Sequence, residues 1–200
     1  MKRGMKNLPA EERRLVTIEA VVQLASERNP EQITTAAIAE KMRLTQGALF
    51  RHFPSKEALW EAVMQWVEQN LMSAVDQAVA GESAVADLER MFTAHIGFVS
   101  RHPGVPRMLF AELQRSEDTP AKKVARVLLQ RYAKRVGALL EKGIGEGSID
   151  PDLDVQAASG MFIGLVQGLV MQSLLSGSQN RMQDEAPKVL RLYLKGIAKE

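Results

Sequence analysis

Between positions 43 and 56 the chain gathers Arg43, Thr45, Gln46, Gly47, Arg51, His52 and Lys56. These side chains donate and accept hydrogen bonds and neutralise charge; none is placed as a nucleophile. A glutamine can exchange paired hydrogen bonds with an adenine edge, and a threonine can reach a phosphate or a base. Arg43, Arg51, His52 and Lys56 suit phosphates or base edges. Gly47 stands in the first turn of a predicted helix, where packing has no need of glycine but a closely approaching duplex does. Ser55 opens the next helix, whose free N–H groups form a second phosphate site. Phosphate contacts of this kind position a protein, and base contacts specify sequence.

Catalysis finds little material. The histidines are His52, His95 and His102. On a helix His95 and His102 share a face but stand roughly 10 Å apart along the axis, too far to ligate one metal. No HExxH, GxSxG or phosphate-cradling glycine loop occurs. There are no cysteines, hence no disulfide, thiol nucleophile or zinc finger. The expectation is a protein that is not an enzyme, with no catalytic residue, no metal and no cofactor.

The elements that must hold these side chains read as helices. Leu15, Ile18, Val22 and Ala25 line one face of a first helix, with Pro9 near its start and Pro30 past its end. Ile38 and Met42 mark a second, Leu49 and Phe53 a third. Thr34 or Thr35 caps the second, Thr45 the third and Ser55 a fourth over 55–80. Further helices are predicted at about 84–101, 106–115, 120–143, 154–176 and 184–198, separated by proline and glycine breaks. The fold class is all-α, with about nine helices and no strand pattern. Two-turn helices such as the second and third are unstable alone, so the first must close a three-helix core over them. The outward side of Thr45–His52 is then left free, in helix-turn-helix geometry. A compact helical hairpin with no DNA role is the competing account.

The 200 residues are 46% hydrophobic and 25% charged, ordinary for a globular protein. No secretory leader is visible, and a cytoplasmic protein is expected. Residues 1–56 carry ten Lys/Arg against six Asp/Glu, a net +4, while 57–200 carry sixteen against eighteen, a net −2. A basic head on a near-neutral body suits a polyanion partner, although a merely solvated surface would look similar. Val155–Asn180 contains no charged residue. That is long enough for a membrane span, but Gln156, Ser159, Gln167, Gln172 and Ser173 make a poor lipid-facing surface. Gly160, Gly164 and Gly168 share one helical face and ask for another backbone nearby, in a partner subunit or in the same chain. The final helix, with Val189, Leu192, Tyr193 and Ile197, is the other candidate for a homodimer interface; no membrane association is expected.

The stretch ITTAAIAEKMRLTQGALFRHFPSKEALWEAV, residues 33–63, resembles the DNA-binding head of the TetR family of transcriptional regulators. The resemblance spans roughly residues 12–66 and rests on the IA pair, TQGALFRHF and PSKEAL at set offsets. It implies that Thr35, Thr45, Gln46, Gly47, Phe50, His52 and Lys56 lie at the DNA. Two positions depart from the family pattern: Phe50 stands where a tyrosine is usual, and Arg43 where the turn glycine is usual. The resemblance further implies a head over 1–56 and a helical body over 57–200 that binds a small ligand and dimerises through its last two helices. Phe92, His95, Ile96, Val99, Met108, Phe110, Leu113, Phe162 and Val166 are the candidate lining for a small apolar effector, though residues at this spacing also serve as plain core. The functional expectation is a DNA-binding regulator, a repressor released from a palindromic operator. The alternative is an all-helical ligand carrier or membrane-associated protein without DNA function.

Overall fold

The computed structural model describes residues 9–177 and 179–199; the side chains of Phe50, Gln179 and Asn180 lie outside that description. The described chain folds into nine α-helices: α1 Ala10–Glu27, α2 Thr35–Lys41, α3 Gln46–Phe50, α4 Lys56–Ala78, α5 Ala84–Arg101, α6 Gly104–Gln114, α7 Pro120–Gly145, α8 Val155–Ser176 and α9 Gln179–Ile197. A single 3-10 turn, Pro30–Gln32, precedes α2. Extended pairing among the described residues is one antiparallel bridge, Ile149 to Ala198.

Local chemistry sets the helix starts. The Thr34, Thr45, Ser55 and Asp154 side chains each accept from a backbone N–H three residues on, at 3.0 to 3.3 Å. Of the two threonines that open α2, Thr34 is therefore the cap. Such caps are worth about 1 kcal/mol each.

The chain divides into two compact units. The first holds the residues up to Glu68 together with His102–Arg126, and so carries α1, α2, α3, the start of α4, α6 and the start of α7. Its core is built from Val21, Leu24, Ala25, Ile33, Ile38, Leu49, Phe53 and Leu59, all nearly solvent-free. Leu15, expected on the buried face of α1, is instead 42% exposed, because the buried stripe of that helix begins only at Thr17. Gly104 opens α6 against the backbone of α1: a Cβ there would lie 1.9 Å from the Val22 carbonyl oxygen. No larger residue fits without separating the two helices.

The second unit comprises Gln69–Arg101 and Val127–Glu200. Phe92 and Phe162 meet edge to face at 5.4 Å, and Phe162 meets Tyr193 at 5.5 Å. Tyr193 donates to the Ala158 carbonyl at 3.0 Å, which ties α9 to α8. Tyr193 and Ile197, expected on a subunit interface, are thus core residues of their own unit, whereas Leu192 is 71% exposed. The last helix also begins at Gln179 rather than near 184 and runs through Pro187. Met182, Ala186 and Leu190 recur every four residues and are buried, and that stripe carries the helix past the proline. By length and composition α8 could cross a membrane: an 18-residue window of it has a mean hydropathy of 1.5, and 33% of that window is buried. Gln156, Gln167 and Gln172 are exposed on that helix.

Candidate functional site

The tight junction between α2 and α3 forms as the sequence pattern asks. Leu44 N–H donates to the Ala39 carbonyl at 2.8 Å and Arg43 N–H to Glu40 at 2.9 Å, folding the turn back on the end of α2. Arg43 takes φ 54, the left-handed conformation that usually selects glycine. Its side chain stands exposed. Below the turn, Ile38, Leu49 and Phe53 bury the inner faces. Above it, Thr45, Gln46 and Gly47 are exposed, and a Cβ on Gly47 would meet nothing within 4 Å. Arg51 is exposed, while Thr35, His52 and Lys56 are half-buried. The expectation for Phe50 rests on a side chain outside the described residues.

What orients so short a helix comes from elsewhere in the sequence. The Arg14 guanidinium, on α1, donates to the His52 carbonyl at 2.6 Å and lies over the Phe53 ring at 4.5 Å. Lys56 packs its ammonium over Trp60 at 4.9 Å and donates to the Glu31 carbonyl at 3.4 Å. Sequence reasoning passed over Arg14 and Trp60. Both contacts join residue types that have ordinary surface or core roles, so no motif marks them.

An outward-facing second helix, the exposed Arg43 and Arg51 on either side of it and a capped turn make an arrangement suited to a duplex groove and its phosphates. Residues 18–63 match the family described as bacterial regulatory proteins, tetR family, and residues 109–187 match the tetracyclin repressor-like C-terminal domain. The chain belongs to the TetR family. It is a DNA-binding transcriptional regulator of that family, which is one of regulators and not of enzymes. A nucleoid occlusion factor SlmA from a Marinomonas species is 27% identical over 164 residues, covering 80% of this chain and 81% of that protein. Among solved structures, the ketosteroid transcriptional regulator KstR2 of Mycobacterium tuberculosis superposes with a TM-score of 0.78 at 24% identity, covering 94% of this chain and 96% of that one. The regulator FadR of Bacillus subtilis, solved in complex with stearoyl-CoA, gives 0.80 at 20% identity, covering 92% and 98%. At these identities the two structures speak for the fold.

The effector candidates of this TetR-family chain fall in both units. Met108 is buried, and Phe110 and Leu113 half-buried, in the first; Phe92, Ile96, Val99, Phe162 and Val166 are buried in the second. His95 shares a hydrogen bond with the Tyr132 hydroxyl at 2.9 Å, and burial lowers its pKa to about 4. Burial likewise pushes the Tyr132 phenol up. A cavity of about 530 Å³ opens between α5 and α9. Phe92, Ile96 and Leu190 line its apolar part, with Glu89, Thr93 and Arg191 supplying polar groups. Two of the expected lining residues therefore reach a cavity, while the α9 wall was not foreseen. Gly160, Gly164 and Gly168 are exposed, and a Cβ on any of them would meet nothing within 4 Å of its own chain. Met161, Met171 and Leu175 are exposed on the same helix. Among the described residues no group of three or more His, Asp or Glu is placed to hold a metal.

Proposed function

We propose that this chain is a homodimeric, cytoplasmic repressor that leaves a near-palindromic operator when a small, largely apolar effector binds. The observation that carries the reading is the bared outer face of α3, with Thr45, Gln46 and Gly47 turned to solvent over a fully buried inner face. Gln46 and Thr45 would read base edges; Arg43, Arg51, His52 and Lys56 would hold phosphates, with Thr35 and Phe50 beside them. The functional division would follow a DNA-binding head over 1–56 and an effector and dimerisation body over 57–200.

The effector site would be the cavity between α5 and α9, whose volume falls within the usual range for ligand pockets. That FadR structure carries an acyl-CoA, which supports a ligand with a long apolar part. The dimer would form through α8 and α9, where three glycines, three apolar side chains of α8 and Leu192 lack cover from their own chain. Two such helices per subunit make a four-helix bundle on a two-fold axis, with recognition helices about 34–36 Å apart. The effector acts only through its differential affinity for the DNA-competent and DNA-released arrangements.

Fluorescence anisotropy against genomic fragments at rising salt tests this reading. A regulator retains at least one site after nonspecific binding is lost. Gln46→Ala should relax preference at one operator position, at a cost of about 1–3 kcal/mol. Binding that is erased uniformly by salt on every fragment would favour the helical carrier instead.

A further inference from the structure

Six large apolar side chains stand exposed among the described residues. Met161, Met171, Leu175 and Leu192 belong to α8 and α9, where the dimer would form. The other two, Leu15 on α1 and Val127 on α7, lie on helices with no part in that contact. Each sits inside a stripe of charge, and the two stripes are opposite in sign.

On α1 the outward face runs Glu12, Leu15, Glu19, Gln23, at helical spacing and all exposed. It lies opposite the buried Ile18, Val21 and Ala25. Among the described residues neither Glu12 nor Glu19 meets a cation. The nearby bases are engaged elsewhere: Arg13 is half-buried, Arg14 holds the His52 carbonyl, and Lys41 pairs with Glu27 at the far end of the helix. Phosphates repel a surface of this sign, so it stays free while the head is on DNA.

On α7 the outward face runs Lys123, Val127, Gln130, Lys134, again at helical spacing and all exposed. Val127 is 49% exposed, and the opposite side buries Ala125, Tyr132 and Val136. Residues 120–145 carry seven Lys/Arg against one acid, a net +6, while the rest of 57–200 carries nine against seventeen, a net −8. Positive charge in the body is thus concentrated on this helix. Lys134 meets no acid among the described residues. Lys123 stands 3.9 Å from Asp118, which already serves Arg126 at 2.8 Å.

We propose that these faces are the two halves of one contact between copies of this chain: α1 of one copy lies along α7 of the next, Leu15 against Val127, with Glu12 and Glu19 meeting the α7 cations. The two faces differ, so the contact is heterologous and can repeat from copy to copy. Opposite charge decides which faces meet. Two helix faces of this length cover less than the about 1,000 Å² that stable association asks for, so free molecules join only weakly. DNA that holds copies side by side raises their effective concentration. Neighbours then assemble head to tail along a duplex. This contact needs neither the effector site nor the α8–α9 dimer.

The chain has no cysteine, so single ones can be introduced cleanly. Full-length Leu15→Cys and Val127→Cys are mixed at low salt and treated with a short bismaleimide, which traps even a weak contact. The mixture should form covalent chain pairs severalfold faster than either variant alone, and faster again on a long duplex of mixed sequence. Both positions are exposed, so the variants should melt as wild type does. Should they not, Gln23→Cys with Gln130→Cys probes the same faces. Without DNA, adding Glu12→Lys and Glu19→Lys to the Leu15→Cys chain should slow the reaction severalfold. Lys123→Glu and Lys134→Glu on the Val127→Cys chain should then restore it. A mixture no faster than its separate variants with or without DNA, Leu15→Cys pairing chiefly with itself, or charge reversal without effect would overturn the contact. A rate that a long duplex leaves unchanged would overturn assembly along DNA alone.

Discussion

The Arg14 guanidinium holds the His52 carbonyl at 2.6 Å, so the first helix grips the chain just beyond the C-terminal end of α3. The same group lies over the Phe53 ring, whose side chain is nearly fully buried. A helix of five residues has too few internal bonds to fix its own direction. Arg14 therefore adds to the buried Leu49 and Phe53 in holding α3 in place.

Arg14→Ala should cost about 1–3 kcal/mol of stability, the range for a charge-assisted hydrogen bond with its packing. It should also weaken DNA binding to all sequences, although Arg14 need touch no base. Arg14→Lys should recover part of the stability and less of the affinity, since an ammonium lacks the planar fork that both bonds and stacks. Urea midpoints and anisotropy titrations read the two effects. An unchanged affinity in a correctly folded Arg14→Ala would remove the positioning role.

Arg43 has φ 54, a conformation costing a non-glycine residue roughly 1 kcal/mol. Arg43→Gly relieves that strain but frees the unfolded chain, so the net gain should be below about 1 kcal/mol. If Arg43 holds a phosphate, the same variant binds DNA more weakly while being at least as stable. Thermal melting and salt-dependent anisotropy separate the two; a loss of both would mean that Arg43 supports the turn.

The outer face of α3 was legible because Leu49 and Phe53, four residues apart, assign the inner face and leave Gln46 and Gly47 on the other. Threonine caps were legible for the same local reason. Arg14 was not, since its partner is a backbone carbonyl 38 residues away, and a carbonyl carries no residue type to recognise. The start of α9 was misplaced because Gly177 to Asn180 reads as a loop, while the buried Met182, Ala186 and Leu190 carry the helix through Pro187 and outweigh the one hydrogen bond that proline removes.

Gly164 tests the proposed dimer cleanly. It is exposed and a Cβ there meets nothing in its own chain, so Gly164→Leu leaves the protomer unstrained. Helix propensity even favours the change by roughly 1 kcal/mol. Sizing by multi-angle light scattering should show monomers, with DNA affinity falling as bivalent binding is lost. A dimer that persists unchanged would place the interface elsewhere.

Asp87 is fully buried at the head of α5 and accepts from the Ala80 and Gly81 N–H groups, Arg90 and Lys142 at 2.7 to 3.2 Å. Burial alone would raise its pKa; the bonds from Arg90, Gly81, Lys142 and Ala80 outweigh it and bring the value down to about 2 from 3.8. The carboxylate therefore stabilises the fold above pH 3.8, and the contribution is lost as pH falls through about 2. Asp87→Ala should cost about 2–4 kcal/mol at neutral pH, because two amides and two cations lose their acceptor together. A urea midpoint unchanged by the substitution would show that water replaces the carboxylate at no cost.

His95 also loses stability on acidification, but at higher pH and because its neutral form is the buried one. Burial depresses its pKa to about 4 from 6.5, so the folded protein keeps the ring neutral where the unfolded chain already takes up a proton. Stability from this residue is unaffected above pH 6.5, declines as pH falls from 6.5 to about 4, and is level below that. The slope reaches at most about 1.4 kcal/mol per pH unit. His95→Gln keeps a partner for the Tyr132 hydroxyl and removes the titration, so its urea midpoint should fall less than that of wild type between about pH 7 and about pH 5. Equal slopes in the two proteins would mean that the ring reaches water in the folded state, and that the pair it forms with Tyr132 opens readily.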